Sequence, residues 1–337
     1  MTNSLFSFSR FVSSRSRLIV GISGGCDSVA LLRLLVESWP DPSRKLVAAH
    51  VNYGLRGKQS QADEQWVRSV CSQWKLPLRV FKVRDFKKNL KNNKKSLQDQ
   101  ARELRYSFFQ QLVQKEKAWG VVVAHHLEDQ AETVLDRFFR GSGPKGLSGL
   151  HEIQTLTFSK SQKAIKVWRP LLRTTKKDLK NYLKNQNIAW REDRSNQKSD
   201  YRRNQIRHKV LPFLTQWNSR LTEGLARMGE VTAVEDQLMD QLLEIAGKKL
   251  KDQWEKKAYF CSYTAFQKMH LALQRRWVRR TAEKLNPNAR GLSFDRVDEI
   301  LRLWNGREKG PRDIGYGLSA GLEDSRVYLK NLGLKKH

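Results

Sequence analysis

Residues 18–35, LIVGISGGCDSVALLRLL, limit the folds open to this chain more than any other stretch. Leu18 to Ile22 is an apolar run with the length of a buried parallel strand, and an apolar run of helical period follows it. Only Ser23-Gly24-Gly25-Cys26-Asp27-Ser28 lies between them to turn the chain. Its two glycines keep the turn clear of side chains, so backbone N–H groups can come close to a ligand. The helix starting near Asp27 and Ser28 brings unpaired N–H donors and a positive dipole end to the same spot. The pattern predicts a phosphate cradle. It is not a Walker loop, because GxxxxGK[ST] and its lysine are missing. The plainer alternative is a strand–turn–helix connection in which Ser and Asp only cap the helix.

Alternation continues along the chain. Lys45 to Val51, Leu78 to Val83, Gly120 to Ala124 and Ile165 to Pro170 read as further strands. Gln61 to Trp74, Leu97 to Lys115, a stretch ending at Arg140 and Lys176 to Asn187 read as helices. This predicts an α/β fold, a doubly wound parallel five-stranded sheet. Ligands in such sheets gather at the carboxyl ends of the strands where the winding reverses. The loops after the first, second and fourth strands should therefore converge. Gly141 to Gly146 reads as a flexible loop, and the lysines of Phe86 to Lys95 as a solvated run or a phosphate-backbone contact. Leu211-Pro212 marks a break. From Leu214 to Trp304 the text is helical, and Arg326 to Leu329 alternates as in a terminal hairpin. The expected domains are 1–210 and a smaller, mainly helical 211–337.

Lys and Arg number 64 against 34 Asp and Glu, a net charge of +30, and the pI is near 10.2. That excess points to a polyanionic partner, most simply nucleic acid. The three cysteines, Cys26, Cys71 and Cys261, form no CxxC pair, which excludes a zinc ribbon and suits a reducing, cytoplasmic setting. No apolar run reaches the roughly 20 residues of a membrane span. The first 17 residues are rich in Ser and Arg and lack acids, as transit peptides do. Phe6, Phe8 and Phe11 are expected to pack on the core instead, as part of the domain.

The loop S-G-G-x-D-S after a first strand resembles the PP-loop of the ATP pyrophosphatase superfamily, which splits ATP between its α and β phosphates. SGGCDS (Ser23 to Ser28), HVNYGLRG (His50 to Gly57), QARELRY (Gln100 to Tyr106) and AHHLEDQAET (Ala124 to Thr133) together resemble the tRNA(Ile)-lysidine synthetase family. So do FFRGSGPKGLSGL (Phe138 to Leu150), RPLL (Arg169 to Leu172) and the EDRSN…YRRNQIRHKVLP run (Glu192 to Pro212). The likeness spans about residues 15–215 and fades in the second domain. Relatives often carry a further C-terminal domain, which this chain is expected to lack or to hold in reduced form.

The resemblance implies adenylation of the wobble cytidine of a CAU-anticodon isoleucine tRNA by ATP, then displacement of AMP by L-lysine. It implies that Ser23, Gly24, Gly25, Cys26, Asp27 and Ser28 hold the ATP pyrophosphate, with Mg²⁺ at Asp27, a hard cation's carboxylate. His50, Val51 and Asn52 would line the adenosine pocket. Asp129 and Glu132, three apart on a helix, share one face and suit the two ammonium groups of lysine. The family arginine matching Arg105 would grip its carboxylate. Asp27, His125, Asp129, Glu132 and Arg105 form the expected catalytic set, and His126 is a further candidate for contact with phosphate or base. Arg203, Asn204 and Arg207 would grip the tRNA backbone, with a solvated basic face as the alternative. Arg275, Arg276, Arg279 and Arg280 form a second basic cluster, a tRNA contact or a surface helix. The oligomeric state stays open.

Three positions depart from the family pattern. Tyr53 stands where relatives commonly have histidine, Glu128 replaces the first acid of a DD pair, and Cys26 fills the free loop position. A tRNA thiolation enzyme on the same scaffold would need a reactive cysteine set that the chain does not offer. Amidotransferases of the superfamily need a glutaminase domain for which there is no length. A non-catalytic tRNA-binding module would explain the charge and leave the intact loop and the Asp129/Glu132 pair unexplained.

Overall fold

The structure, a computed structural model, describes residues 12–13, 15–83, 96–157, 164–192, 202–306, 308 and 310–333. Phe6, Phe8 and Phe11, the basic run 86–95 and residues 193–201 lie outside them. The chain divides into two compact units, 1–233 and 234–337. The division expected at 210/211 falls inside the first.

Unit one is built on a six-stranded sheet of β1 (Leu18–Gly21), β2 (Leu46–Asn52), β3 (Leu78–Lys82), β4 (Gly120–Val122), β5 (Ile153–Leu156) and β6 (Ile165–Trp168) in the order β3-β2-β1-β4-β6-β5. The five expected strands are parallel, and β5 adds an antiparallel edge against β6. Its four residues are only half buried or exposed, so no continuous apolar run announced it. Leu18, Val20, Leu46, Ala48, Val122 and Trp168 face the helices Cys26–Ser38 and Lys176–Asn185. Ile19, Val47, Ala49, Val121 and Val167 face Tyr106, Phe108, Phe109 and Leu112 of the helix Leu97–Lys115. Burial on both faces explains why β1 and β4 read as unbroken apolar text. The winding reverses between β1 and β4, which brings the loop after β1 beside the loop after β4. The Arg191 backbone N–H, beyond the last helix of the sheet, donates to the Gly24 carbonyl at 2.9 Å.

Two local expectations need correction. The glycine-rich loop after the helix Leu127–Phe139 contains a helical turn, Pro144–Leu147, and is tied down. Arg137 Nη1 donates to the Gly146 and Gly149 carbonyls at 2.7 and 2.8 Å, and Leu150 N–H donates to Gln130 Oε1 at 2.6 Å. Gly149 has φ +65°, and a Cβ there would lie 2.6 Å from Gln130 Oε1, so the turn requires glycine. The break expected at Leu211-Pro212 is absent too. Arg202–Gln205, a π turn at Ile206–Val210 and Leu211–Trp217 run on as one helix. Pro212 has no N–H to give the preceding turn, and Leu211 N–H reaches back five residues to Ile206 O.

Unit two is mainly helical as expected and also holds a small sheet. The terminal hairpin exists as β10 (Leu318–Glu323) and β11 (Arg326–Asn331), but it belongs to a five-stranded antiparallel sheet. β7 (Gln253–Trp254), β8 (Ala258–Ser262) and β9 (Arg312–Asp313) complete the order β7-β8-β11-β10-β9. The helices Leu271–Leu285 and Phe294–Trp304 pack their apolar faces on it around Tyr259, Phe266, Trp277 and Trp304. The second basic cluster is spent inside this unit. Arg276 pairs with Asp236 at 2.6 Å and Asp240 at 2.8 Å, and Arg280 pairs with Glu244. Arg279 donates to Leu292 O at 2.7 Å, and Arg275 approaches Asp298 to 3.8 Å. The spacing that suggested a phosphate-binding face instead matches acids one turn apart. Among the described residues no helix is long and apolar enough to cross a membrane.

Candidate active site

The turn after β1 folds on its own hydroxyls. Ser28 Oγ donates to Gly25 O at 2.9 Å and accepts from Ser23 N–H at 3.1 Å, while Ser23 Oγ accepts from Gly25 N–H at 3.3 Å. Gly24 takes φ +92°, which an L side chain rarely adopts. Gly25 is the N-cap residue, and no side chain caps the helix. Ser and Asp therefore do not cap the helix Cys26–Ser38, and its first-turn donors take no side-chain cap, the condition an anion site needs. Cys26 is no nucleophile here, since burial and the Asp27 carboxylate push its thiol up to about 11.

The loop after β4 supplies the countercharges. Asp27 Oδ2 lies 3.6 Å from His126 Nε2 and 3.7 Å from Lys176 Nζ. His126 Nδ1 lies 2.8 Å from Glu128 Oε2, and its Nε2 lies 3.4 Å from Asp129 Oδ2. Burial disfavours a charged His126, yet the carboxylates of Asp27 and Glu128 raise its pKa to about 10, so the ring is an imidazolium at neutral pH. Asp129 is buried too, and the nearby charges of His126 and Arg203 hold it down at about 2. Glu128 also takes the Lys176 backbone N–H on both oxygens at 3.0 Å, which fixes the start of the helix Lys176–Asn185.

Asp129 and Glu132 share a helix face as expected, but that face is already occupied. Arg203 Nη2 and Arg207 Nη2 donate to Asp129 Oδ1 at 2.8 and 3.0 Å. Arg203 Nε and Arg207 Nη2 donate to Glu132 Oε2 at 3.0 and 2.9 Å, and Arg207 Nε donates to Glu132 Oε1. The residues expected to hold two different ligands are thus each other's partners. Asn204, half buried, sits on the same turn.

His125 stands on the other side. The Arg169 guanidinium donates from Nε to His125 Nδ1 at 3.3 Å, which places the imidazole proton on Nε2. Burial, joined by the charges of Arg169 and Arg203, keeps this ring neutral, with a pKa well below 6.5. Arg105 lies over the Tyr106 ring at 5.5 Å, and its Nε is buried without a hydrogen-bond partner. The adenosine-pocket trio splits. His50 Nδ1–H donates to Ile22 O at 2.9 Å. Asn52 donates to Glu64 at 2.9 Å and accepts from Gly54 N–H. Val51 points to the opposite sheet face, with Phe81 and Phe108.

Two residues escaped sequence reading. Arg169, fully buried, donates to His151 O at 2.8 Å and Gln154 Oε1 at 3.2 Å as well as to His125. Its signal was an arginine at the end of an apolar strand, inside RPLL. Lys176 was hidden among the charges of its own helix.

A sequence model of the PP-loop domain family matches residues 2–214. The tRNA(Ile)-lysidine synthase of Geobacter sulfurreducens is 34% identical over 287 residues, covering 85% of this chain and 59% of that protein. That of Rhodopirellula baltica is 37% identical over 246 residues, covering 69% and 61%. The chain thus spans about six-tenths of the length of these curated relatives. Among solved structures, the U34-tRNA thiolase NcsA from Methanococcus maripaludis with its [4Fe-4S] cluster aligns with a TM-score of 0.52. It covers 66% of this chain and 74% of that one at 17% identity, a likeness of fold alone.

Proposed function

The chain belongs to the PP-loop domain family, and on that premise we propose that it is an ATP-dependent ligase forming lysidine at the wobble cytidine of the CAU-anticodon isoleucine tRNA. One observation carries this reading. His126 lies within 3.6 Å of the cradle's Asp27 and within 3.4 Å of Asp129 of the acidic pair, so an anion site and an ammonium site adjoin. A reaction that first takes a phosphate ester and then an amine needs that adjacency.

In the first half-reaction the cradle and the open helix start hold the phosphates, and the single carbonyl oxygen of cytosine attacks the α-phosphorus. His125 offers an Nε2–H donor to this centre rather than a basic nitrogen. Asp27 Oδ1 is buried and lacks a hydrogen-bond partner, so it fits a hard cation such as Mg²⁺. When bound, Mg²⁺ offsets phosphate charge. In the second half-reaction Asp129 and Glu132 receive the ammonium groups of lysine once Arg203 and Arg207 have turned to the phosphates of the RNA. Arg105 would meet the amino acid's carboxylate, and the ε-amine, its proton released to water, bonds to cytosine C2 as the C2–O bond to AMP breaks. The setting is cytoplasmic in this reading.

Thiolation fits less well, since burial pushes the thiols of Cys26, Cys71 and Cys261 up to about 11, 12 and 11. The test is incubation with ATP, Mg²⁺, labelled lysine and CAU-anticodon tRNA. Label in the RNA with one AMP per lysine supports the reading, and AMP formation without lysine transfer overturns it.

A further inference from the structure

The cradle has no lysine of its own, and most of the cations beside it among the described residues are paired with acids. Asp27, Glu128, Asp129 and Glu132 stand against His126, Lys176, Arg203 and Arg207, four carboxylates to four cations. Three of those cations are committed at close range: His126 to Glu128 at 2.8 Å, Arg203 to Asp129 at 2.8 Å and Arg207 to Glu132 through two edges. Lys176 differs. Its ammonium comes no nearer than 3.7 Å to Asp27, beyond hydrogen-bond length, and its side chain is 40% exposed. Its backbone is nonetheless fixed, because Glu128 holds its N–H with both oxygens. Lys180, one turn on, is half buried on the same face, whereas Lys177 is exposed. Both Lys176 and Lys180 draw the Cys26 thiol pKa downward against burial, so both charges lie beside the first residue of the cradle helix.

We propose that Lys176 is the phosphate-binding lysine of this site, delivered by the helix after β6 instead of by the loop. The inference rests on the ligase reading. When the cytosine oxygen bonds to the α-phosphorus, the bond from that phosphorus to the β-bridging oxygen breaks. Its electron pair leaves with pyrophosphate. Lys176 turns from Asp27 to the β and γ phosphates and offsets that charge, with no proton transferred. Lys180 adds attraction at longer range.

The test uses the full chain and calorimetric titration with magnesium pyrophosphate, ATP and AMP separately. Lys176→Met should weaken pyrophosphate and ATP binding at least tenfold and leave AMP binding within about twofold, since AMP lacks the β and γ groups. Lys176→Arg should restore most of the loss, and Lys177→Met should behave as wild type. Unchanged pyrophosphate binding in Lys176→Met overturns the proposal. So does a loss shared equally by AMP, which would mean that the lysine only braces Asp27. Failure of the wild type to form AMP from ATP and tRNA would sink the ligase reading, while selective loss of pyrophosphate binding in Lys176→Met would still establish the phosphate site.

Discussion

Arg207 meets Glu132 edge to edge, with Nε donating to one carboxylate oxygen and Nη2 to the other at 2.9 Å. The carboxylate is 1% exposed and the guanidinium 27%. Removing one member of such a pair leaves the other charge uncompensated, at a cost on the order of 3 kcal/mol. Glu132→Gln should lower stability by about that much in urea unfolding. The double variant with Arg207→Gln should lose at least about 1 kcal/mol less than the two single losses together. Strict additivity would mean that the pair is not coupled.

The same contacts oppose lysine. Replacing Arg203 and Arg207 by Met should raise lysine affinity in the absence of tRNA by about tenfold, a usual size for coupling between ligands. Calorimetry reads this directly. Equal or weaker lysine binding would show that Asp129 and Glu132 are not the amine site.

His126 makes stability depend on alkaline pH. Its folded pKa, about 10, lies above the free value of 6.5. Its contribution is therefore complete below pH 6.5 and is lost as pH rises through 10, at no more than about 1.4 kcal/mol per pH unit. Urea midpoints of wild type should fall more steeply between pH 7 and 10 than those of His126→Gln. Parallel slopes would assign the imidazolium no part.

Asp27→Asn keeps the shape of the cradle and removes its charge. AMP formation should drop by about a hundredfold. Stability should change by only about 1 kcal/mol, the size of one hydrogen bond. An active variant would move the nucleotide site elsewhere.

Salt dependence separates the two basic clusters. Each phosphate contact contributes about 0.7–0.9 to the log–log slope of tRNA affinity against salt. Losing Arg203 and Arg207 should reduce that slope by roughly one to two. Arg276→Gln should leave it unchanged and destabilise the second unit, because Arg276 is bound to Asp236 and Asp240.

The turn after β1, the parallel strands and the shared face of Asp129 and Glu132 were legible because each rests on local text: a glycine pair, an apolar run, a three-residue spacing. What was hidden depends on partners distant in sequence. Arg203 and Arg207 read as free basic residues until the fold set them on acids from the helix after β4. Arg276 had the same appearance for the same reason. β8 was missed because Ala258–Ser262 is too short to alternate visibly and is held by β11 on one side and β7 on the other. That Val51 turns away from His50 and Asn52 follows from strand alternation once β2 runs on to Asn52.

The bond from Arg191 N–H to Gly24 O has a consequence during synthesis. The glycine turn leaves the ribosome early, but the backbone group that closes over it is made near the end of the first unit. Asp27, Glu128, Asp129 and Glu132 are likewise all in the nascent chain before Lys176, Arg203 and Arg207 follow. At roughly 5–20 residues per second, the acids wait several seconds for their counterions with only His126 among them. A chain stopped before Lys176 therefore carries four carboxylates against one imidazolium at the end of its sheet.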